Sequence, residues 1–171
     1  MGFFLTKGYR QKMSEYIIKP GIGLNEICFG ATMDDCRDYF GQPEEELKEE
    51  FEGEEYIFWY YDDGKMALCF EGSEDFRLGT VIVNNKNAIL DNEKIIGKSL
   101  DEIKKYLKKN NYVGVEEALE EDIEEDPSSA IKIINVDDLE CNFMFTNDIL
   151  DGVQWSYLWE DDETPRWPTI Q

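Results

Sequence analysis

The sequence contains no histidine. Histidine is the commonest general base near neutral pH and the commonest ligand for zinc and iron in proteins. Its absence excludes Ser-His-Asp and Cys-His catalysis and most transition-metal sites. Glycine-rich phosphate-binding motifs and the G-x-S-x-G turn of serine hydrolases are also missing. We therefore predict a protein that is not an enzyme and needs neither a cofactor nor a metal ion.

Carboxylates are the one potentially catalytic group that the chain has in abundance. Two carboxylates can hydrolyse a glycosidic bond when they lie about 5–10 Å apart. With 39 Asp and Glu residues in the chain, however, a pair of acids in the sequence has no diagnostic value. A carboxylate hydrolase therefore stays open as a minor alternative.

Long apolar runs and cysteine motifs are absent as well. No stretch approaches the roughly 20 apolar residues of a membrane span, and the N-terminus lacks the pattern of a signal peptide. The four cysteines (Cys28, Cys36, Cys69 and Cys141) form no C-x-x-C pair and lie among apolar residues. These features predict buried thiols, a cytoplasmic location and no membrane partner.

Positive charge is scarce, with 17 Lys and Arg against 39 Asp and Glu and a net charge of −22. Such a surface repels nucleic acids and anionic lipids and attracts basic proteins. Strong acidity often indicates disorder, but 42% hydrophobic and 13% aromatic residues are enough for a folded core. The composition therefore predicts a globular protein with a basic protein partner and no nucleic-acid partner.

One twelve-residue pattern occurs twice, as FGATMDDCRDYF from Phe29 and as IGKSLDEIKKYL from Ile96. Each copy has an N-cap residue, Thr32 or Ser99, followed three positions later by an acid that can complete a capping box. Apolar residues then recur at helical spacing. Strand-like runs follow each copy, with turn signals at 62–64 and 147–148. The alternative is that two capped amphipathic helices look alike for common physical reasons.

From this pattern we predict an α+β fold made of two tandem repeats, each a short helix packed on about three antiparallel strands. The predicted organisation is an N-terminal segment (1–26), a first helix–sheet unit (27–90), a second unit (91–159) and an irregular acidic tail (160–171). One helix on three strands covers its core poorly. Duplication would solve that problem by letting two units share a sheet or a core.

The stretch IGLNEICFGATMDDCRDYFGQP resembles the helix–strand unit of β-lactamase-inhibitor proteins and of small SmpA/OmlA-type outer-membrane lipoproteins. The residues that carry this resemblance are Gly30, Thr32, Asp35, Cys36, Gly41 and Pro43. The second copy keeps Gly97, Ser99, Glu102 and Ile103 but lacks the Gly-x-Pro turn, and the chain lacks the export signal and lipobox cysteine of those relatives. The resemblance implies a fold and no activity. In its small size and acidity the chain also resembles bacterial immunity proteins that neutralise secreted toxins.

These observations predict an immunity or inhibitor protein that neutralises a basic toxin domain through an acidic, aromatic surface. The alternative is a housekeeping interaction or assembly module whose acidity serves solubility only. Two connectors, 44–55 and 116–126, each hold eight acids, and tryptophan is a frequent interface anchor. The predicted partner-binding residues are Glu49, Glu50, Glu52, Glu54, Glu55, Trp59, Glu120, Glu121, Asp122, Glu124, Glu125, Trp159, Asp161 and Asp162.

Overall fold

The computed structural model describes residues 14–112, 114–119 and 131–168. These residues contain fifteen β-strands and two short α-helices. The largest element is an eight-stranded antiparallel sheet, called the main sheet here. Its strands lie in the order β10 (Val115–Leu119), β11 (Ile131–Val136), β12 (Cys141–Thr146), β13 (Ile149–Ser156), β7 (Arg77–Val83), β6 (Met66–Glu71), β5 (Glu54–Tyr61) and β4 (Glu45–Phe51).

A second, five-stranded sheet is called the small sheet. Its order is β3 (Ile27–Cys28), β2 (Gly23–Leu24), β1 (Tyr16–Lys19), β8 (Ala88–Leu90) and β9 (Glu93–Lys94). The β1–β8 pair is parallel and the other three pairs are antiparallel. A two-stranded hairpin, β14 (Leu158–Trp159) and β15 (Pro165–Arg166), follows the main sheet.

The two helices begin where the sequence predicts them. Helix α1 (Met33–Phe40) has Thr32 as its N-cap with a complete capping box to Asp35, and Gly41 ends it. Helix α2 (Leu100–Lys109) has Ser99 as its N-cap, and the Ser99 side chain accepts a hydrogen bond from the backbone N–H of Glu102. With 8 and 10 residues, neither of the described helices is long and apolar enough to span a membrane.

One face of the main sheet forms the core. A row of buried side chains crosses six strands of the sheet on this face: Trp59, Leu68, Val81, Trp155, Cys141 and Val136. The small sheet and both helices contribute residues to the same buried cluster. The indole N–H of Trp155 donates a hydrogen bond to the Gly23 carbonyl at 2.9 Å, and the Arg37 guanidinium lies 4.9 Å from the centre of the Trp59 ring. Both contacts join neighbouring elements to this core face.

The prediction of an α+β fold built from tandem helix-on-three-strand repeats is wrong. The described residues are mostly β, and their strands form one continuous eight-stranded sheet, a separate five-stranded sheet and a two-stranded hairpin. The main sheet is continuous because β13 pairs with β7, with Val153 opposite Val83 and Trp155 opposite Val81. The predicted boundary between 90 and 91 lies in the turn between the paired strands β8 and β9.

The first predicted connector and the predicted irregular tail both contain strands. The first acidic connector is largely the edge strand β4, which forms a hairpin with β5 through a turn at Glu52 and Gly53. In the predicted acidic tail, Pro165–Arg166 pairs with β14. Sequence patterning missed β4 because all seven of its residues are exposed. Backbone pairing with β5 therefore holds this strand, and no buried side chain marks it.

Candidate protein-binding surface

The second face of the main sheet is called the open face, because its aromatic side chains on β5 lie outside the buried core cluster. Alternate residues of a strand point to opposite faces, so Tyr56, Phe58 and Tyr60 lie on the open face while Trp59 and Tyr61 point into the core. The three open-face rings are half-buried and do not belong to the buried core cluster. The Phe58 and Tyr60 rings stack with centroids 6.4 Å apart and planes 21° from parallel.

Carboxylates surround these rings because of the strand register. Glu45 lies opposite Tyr60, Leu47 opposite Phe58 and Glu49 opposite Tyr56. Burial raises the pKa of the Tyr60 hydroxyl, and the nearby charges of Glu49 and Glu45 raise it further. We call this surface the aromatic–acidic patch. It consists of Leu47, Tyr56, Phe58 and Tyr60 with the carboxylates of Glu45, Glu49 and Glu54.

Exposed apolar side chains extend the patch toward the β4–β5 turn. Leu47 is 39% and Phe51 is 65% exposed, and both lie on the open face with Glu45 and Glu49. Aromatic rings inside a charged rim are a typical arrangement at protein interfaces, where the rings supply contact area and the charges select the partner. The patch therefore combines apolar and aromatic contact area with negative charge.

The predicted site residues lie in different parts of the fold. Glu49 and Glu54 belong to the patch. Glu50 and Glu55 pair with each other at the end of the same hairpin but point to the opposite face, and Glu52 lies in its turn. Trp159, which is 41% exposed, together with the exposed Asp161 and Asp162, belongs to the β14–β15 region. The five predicted residues of the second connector, Glu120, Glu121, Asp122, Glu124 and Glu125, lie outside the described residues.

The choice of Trp59 as a surface anchor is wrong. Its side chain is 0% exposed, its indole N–H donates to Glu46 at 2.7 Å, and its ring packs edge-on against Phe70 at 4.8 Å. Trp59 is therefore a core residue that a partner cannot reach. The residues that the sequence choice omitted are Leu47, Tyr56, Phe58, Tyr60 and Glu45. Alternation along YIFWYY is the sequence signal that separates core residues from open-face residues. Because Trp59 is buried, its neighbours Phe58 and Tyr60 must point to the other face.

Two buried thiols and the half-buried Asp62 carboxylate are titratable groups inside the fold. Burial raises the pKa of the Cys36 thiol to about 12 and that of the Cys69 thiol to about 12, so both stay protonated near neutral pH. Asp62 accepts hydrogen bonds from Tyr16 at 3.1 Å and from Asn85, which fastens β1 to the β5–β6 turn. Within the described ranges, no three Cys, Asp or Glu side chains are grouped so that they could hold a metal ion.

Glu71 is a half-buried carboxylate whose titration should affect stability. Burial raises its pKa above the ordinary value, although a 3.0 Å hydrogen bond from the Tyr157 hydroxyl opposes the shift. A raised folded-state pKa means that the folded chain holds this proton more tightly than the unfolded chain, so stability falls as pH rises through the interval between the two values. In Glu71→Gln the neutral amide oxygen can still accept from Tyr157 and cannot titrate.

We therefore expect Glu71→Gln to be more stable than wild type near neutral pH and to lose less stability between about pH 4 and pH 7. Urea unfolding at several pH values measures this difference. Glu55→Gln, an exposed acid in the same sheet, controls for the change in net charge. If the free energy of unfolding changed with pH in the same way for wild type and Glu71→Gln, the raised pKa of Glu71 would be contradicted.

No protein-family model matches the chain, and no curated protein matches it in sequence. Among solved structures, the chain is similar to an extracellular protein containing an SCP domain from Bacillus anthracis str. Ames, with a TM-score of 0.45 and 12% sequence identity. The match covers 82% of this chain and 50% of that one, so this chain spans about half the length of that protein. A similarity at this level carries no argument about function.

Proposed function

We propose that this chain is a non-enzymatic binding protein of the immunity type, which neutralises a basic toxin domain by binding it on the aromatic–acidic patch. The observation that carries the proposal is the half-buried row of Tyr56, Phe58 and Tyr60 beside Glu45 and Glu49 on the edge hairpin. We also assign the chain to the reducing cytoplasm, because all four cysteines are free.

The two parts of the patch would act at different stages of binding. A net charge of −22 attracts a basic domain over long range and can raise the association rate to about 10⁸ M⁻¹s⁻¹ at low salt. Once the partner arrives, Lys and Arg side chains can pair with Glu45, Glu49 and Glu54. The aromatic rings then lose their remaining contact with water and slow dissociation.

The test begins with affinity isolation of the partner from cells that produce this chain. Wild type is compared with the double variant Glu45→Lys/Glu49→Lys and with a control, Asp101→Lys/Glu102→Lys, which makes the same charge change on α2. We expect a basic partner whose association rate falls at least about tenfold between 50 and 500 mM salt. The patch variant should lose that partner, and the control should keep it.

Function is then tested by growth. The isolated partner, expressed alone, should inhibit growth, and co-expression with wild type but not with the patch variant should restore it. An acidic partner, an association rate indifferent to salt, or equal protection by both proteins would contradict the proposal. Loss of solubility in the charge variants without any loss of binding would instead favour the housekeeping alternative, in which acidity serves only to keep the chain in solution.

A further inference from the structure

A cleft of about 590 Å³ lies between α1, β3 and the residues that follow β15, Trp167 and Pro168, which are called the C-terminal arm here. The residues that line this cleft differ from those of the aromatic–acidic patch. Three aromatic residues line it: Phe29, Tyr39 and Trp167. We call this cavity the arm cleft.

The Trp167 ring forms part of the lining of the arm cleft. Its ring packs on Tyr157 with the centroids 4.7 Å apart. It also lies directly over Gly30, where an added Cβ would be 3.1 Å from the ring. Trp167 is half-buried, so part of its ring remains available to a molecule in the cleft.

The polar lining is negative overall. Glu26, Asp35 and Asp38 contribute three carboxylates and Arg77 contributes one guanidinium. The Asp35 carboxylate already has a partner, because it accepts a hydrogen bond from the backbone N–H of Thr32 at 3.2 Å. Glu26, Asp38 and Arg77 form no hydrogen bond or ion pair through their side chains with another described residue, and all three are exposed. Glu26 and Asp38 are therefore available to a ligand.

We propose that the arm cleft binds an organic cation of the guanidinium type, as carried by an arginine side chain. A flat cation can lie against the exposed parts of the Trp167 and Tyr39 rings, and a guanidinium can also pair with the Asp38 or Glu26 carboxylate through two parallel hydrogen bonds. An anion would meet three carboxylates, and an apolar ligand would remove water from those carboxylates without replacing its hydrogen bonds. The positive charge of Arg77 repels a cation. A variant that removes this charge is therefore expected to bind the cation more tightly, whereas a variant that removes a carboxylate is expected to bind it more weakly.

The probe is N-acetyl-arginine amide, which carries one positive charge and no carboxylate. Its control is N-acetyl-citrulline amide, which has nearly the same shape and no charge. Binding is followed by NMR at the indole N–H of Trp167. The indole N–H groups of Trp59 and Trp155 are held by Glu46 and the Gly23 carbonyl and serve as internal references. We expect saturable shifts of the Trp167 signal with the arginine probe and binding at least about threefold weaker with citrulline.

Three variants separate a built site from general attraction to an acidic chain. Asp38→Asn should weaken binding about two- to fivefold, and Arg77→Gln should strengthen it by a similar factor. Asp101→Asn, an exposed acid at the start of α2, removes the same charge away from the cleft and should change nothing. The proposal is overturned if citrulline binds equally well, if Trp167 does not respond, or if Asp38→Asn and Asp101→Asn have the same effect. Binding to the patch variant Glu45→Lys/Glu49→Lys should be retained, so failure of the immunity function and failure of this site are distinguishable.

Discussion

Replacing Gly23 with alanine is expected to lower the free energy of unfolding by about 4 kcal/mol, at the upper end of single-substitution effects. Gly23 has a φ of +155°, and a Cβ built there would lie 1.9 Å from the Ile27 carbonyl oxygen and 2.9 Å from the Cys28 Cα. Both neighbours are backbone atoms, so the clash cannot be relieved by turning a side chain. The β2–β3 pair would have to separate, and the Gly23 carbonyl would lose its hydrogen bond from Trp155.

Gly53→Ala is the matched control for this substitution. Gly53 also has a positive φ, of +82°, but no atom lies within 4 Å of its built Cβ. Alanine at this position should lower the free energy of unfolding by only about 1 kcal/mol, which is the cost of a left-handed backbone conformation for a residue with a Cβ. Urea unfolding followed by tryptophan fluorescence measures both losses. Similar losses in the two variants would show that conformational strain, and not the close approach of β2 and β3, governs stability at Gly23.

The second large effect is a contrast between two phenylalanines on neighbouring strands. Phe70→Ala should lower the free energy of unfolding by about 3–5 kcal/mol, because it empties a fully buried site. Phe70 is 0% exposed and packs against the Trp59 ring. Phe58 lies on β5, where its side chain points to the open face, and it is half-buried. Phe58→Ala should cost about 1 kcal/mol or less, as expected when the surrounding water can fill the space.

Partner binding should respond in the opposite way. Loss of an aromatic anchor from an interface weakens binding by about 2 kcal/mol, or roughly 30-fold, so Phe58→Ala should lose most of its affinity for the partner while it stays folded. Phe70→Ala, measured at a temperature where it remains folded, should keep that affinity. Urea unfolding and surface plasmon resonance with the isolated partner provide the two measurements. If Phe58→Ala retained full affinity, the patch would not be the binding surface.

Local features of the fold could be predicted from the sequence because short-range chemistry determines them. The hydroxyls of Thr32 and Ser99 cap the two helices as their spacing indicates. The turn at Asp62 and Asp63 has positive φ at both residues and joins β5 to β6. Each of these features depends on fewer than about ten consecutive residues, which is the range over which capping and turn preferences act.

Longer-range features could not be predicted from those patterns. The pairing of β13 with β7 joins residues that are far apart in the chain, and nothing local distinguishes it from pairing within separate sheets. Strands β2, β3 and β9 have two residues each, which is too short for any periodicity to appear. The burial of Trp59 depends on which face of β5 packs against α1. The resemblance to β-lactamase-inhibitor proteins stays a prediction from the sequence.

The hydrogen bond from Trp155 to Gly23 joins residues that are 132 positions apart, and this has a consequence for biosynthesis. The ribosome releases Gly23 long before Trp155, so strands β1 to β3 emerge without the side chain that covers Gly23. Contacts of such long range are formed late and slow the folding of β-rich domains. The small sheet therefore reaches its final packing only after Trp155 has been synthesised, and the nascent chain exposes apolar strands until then.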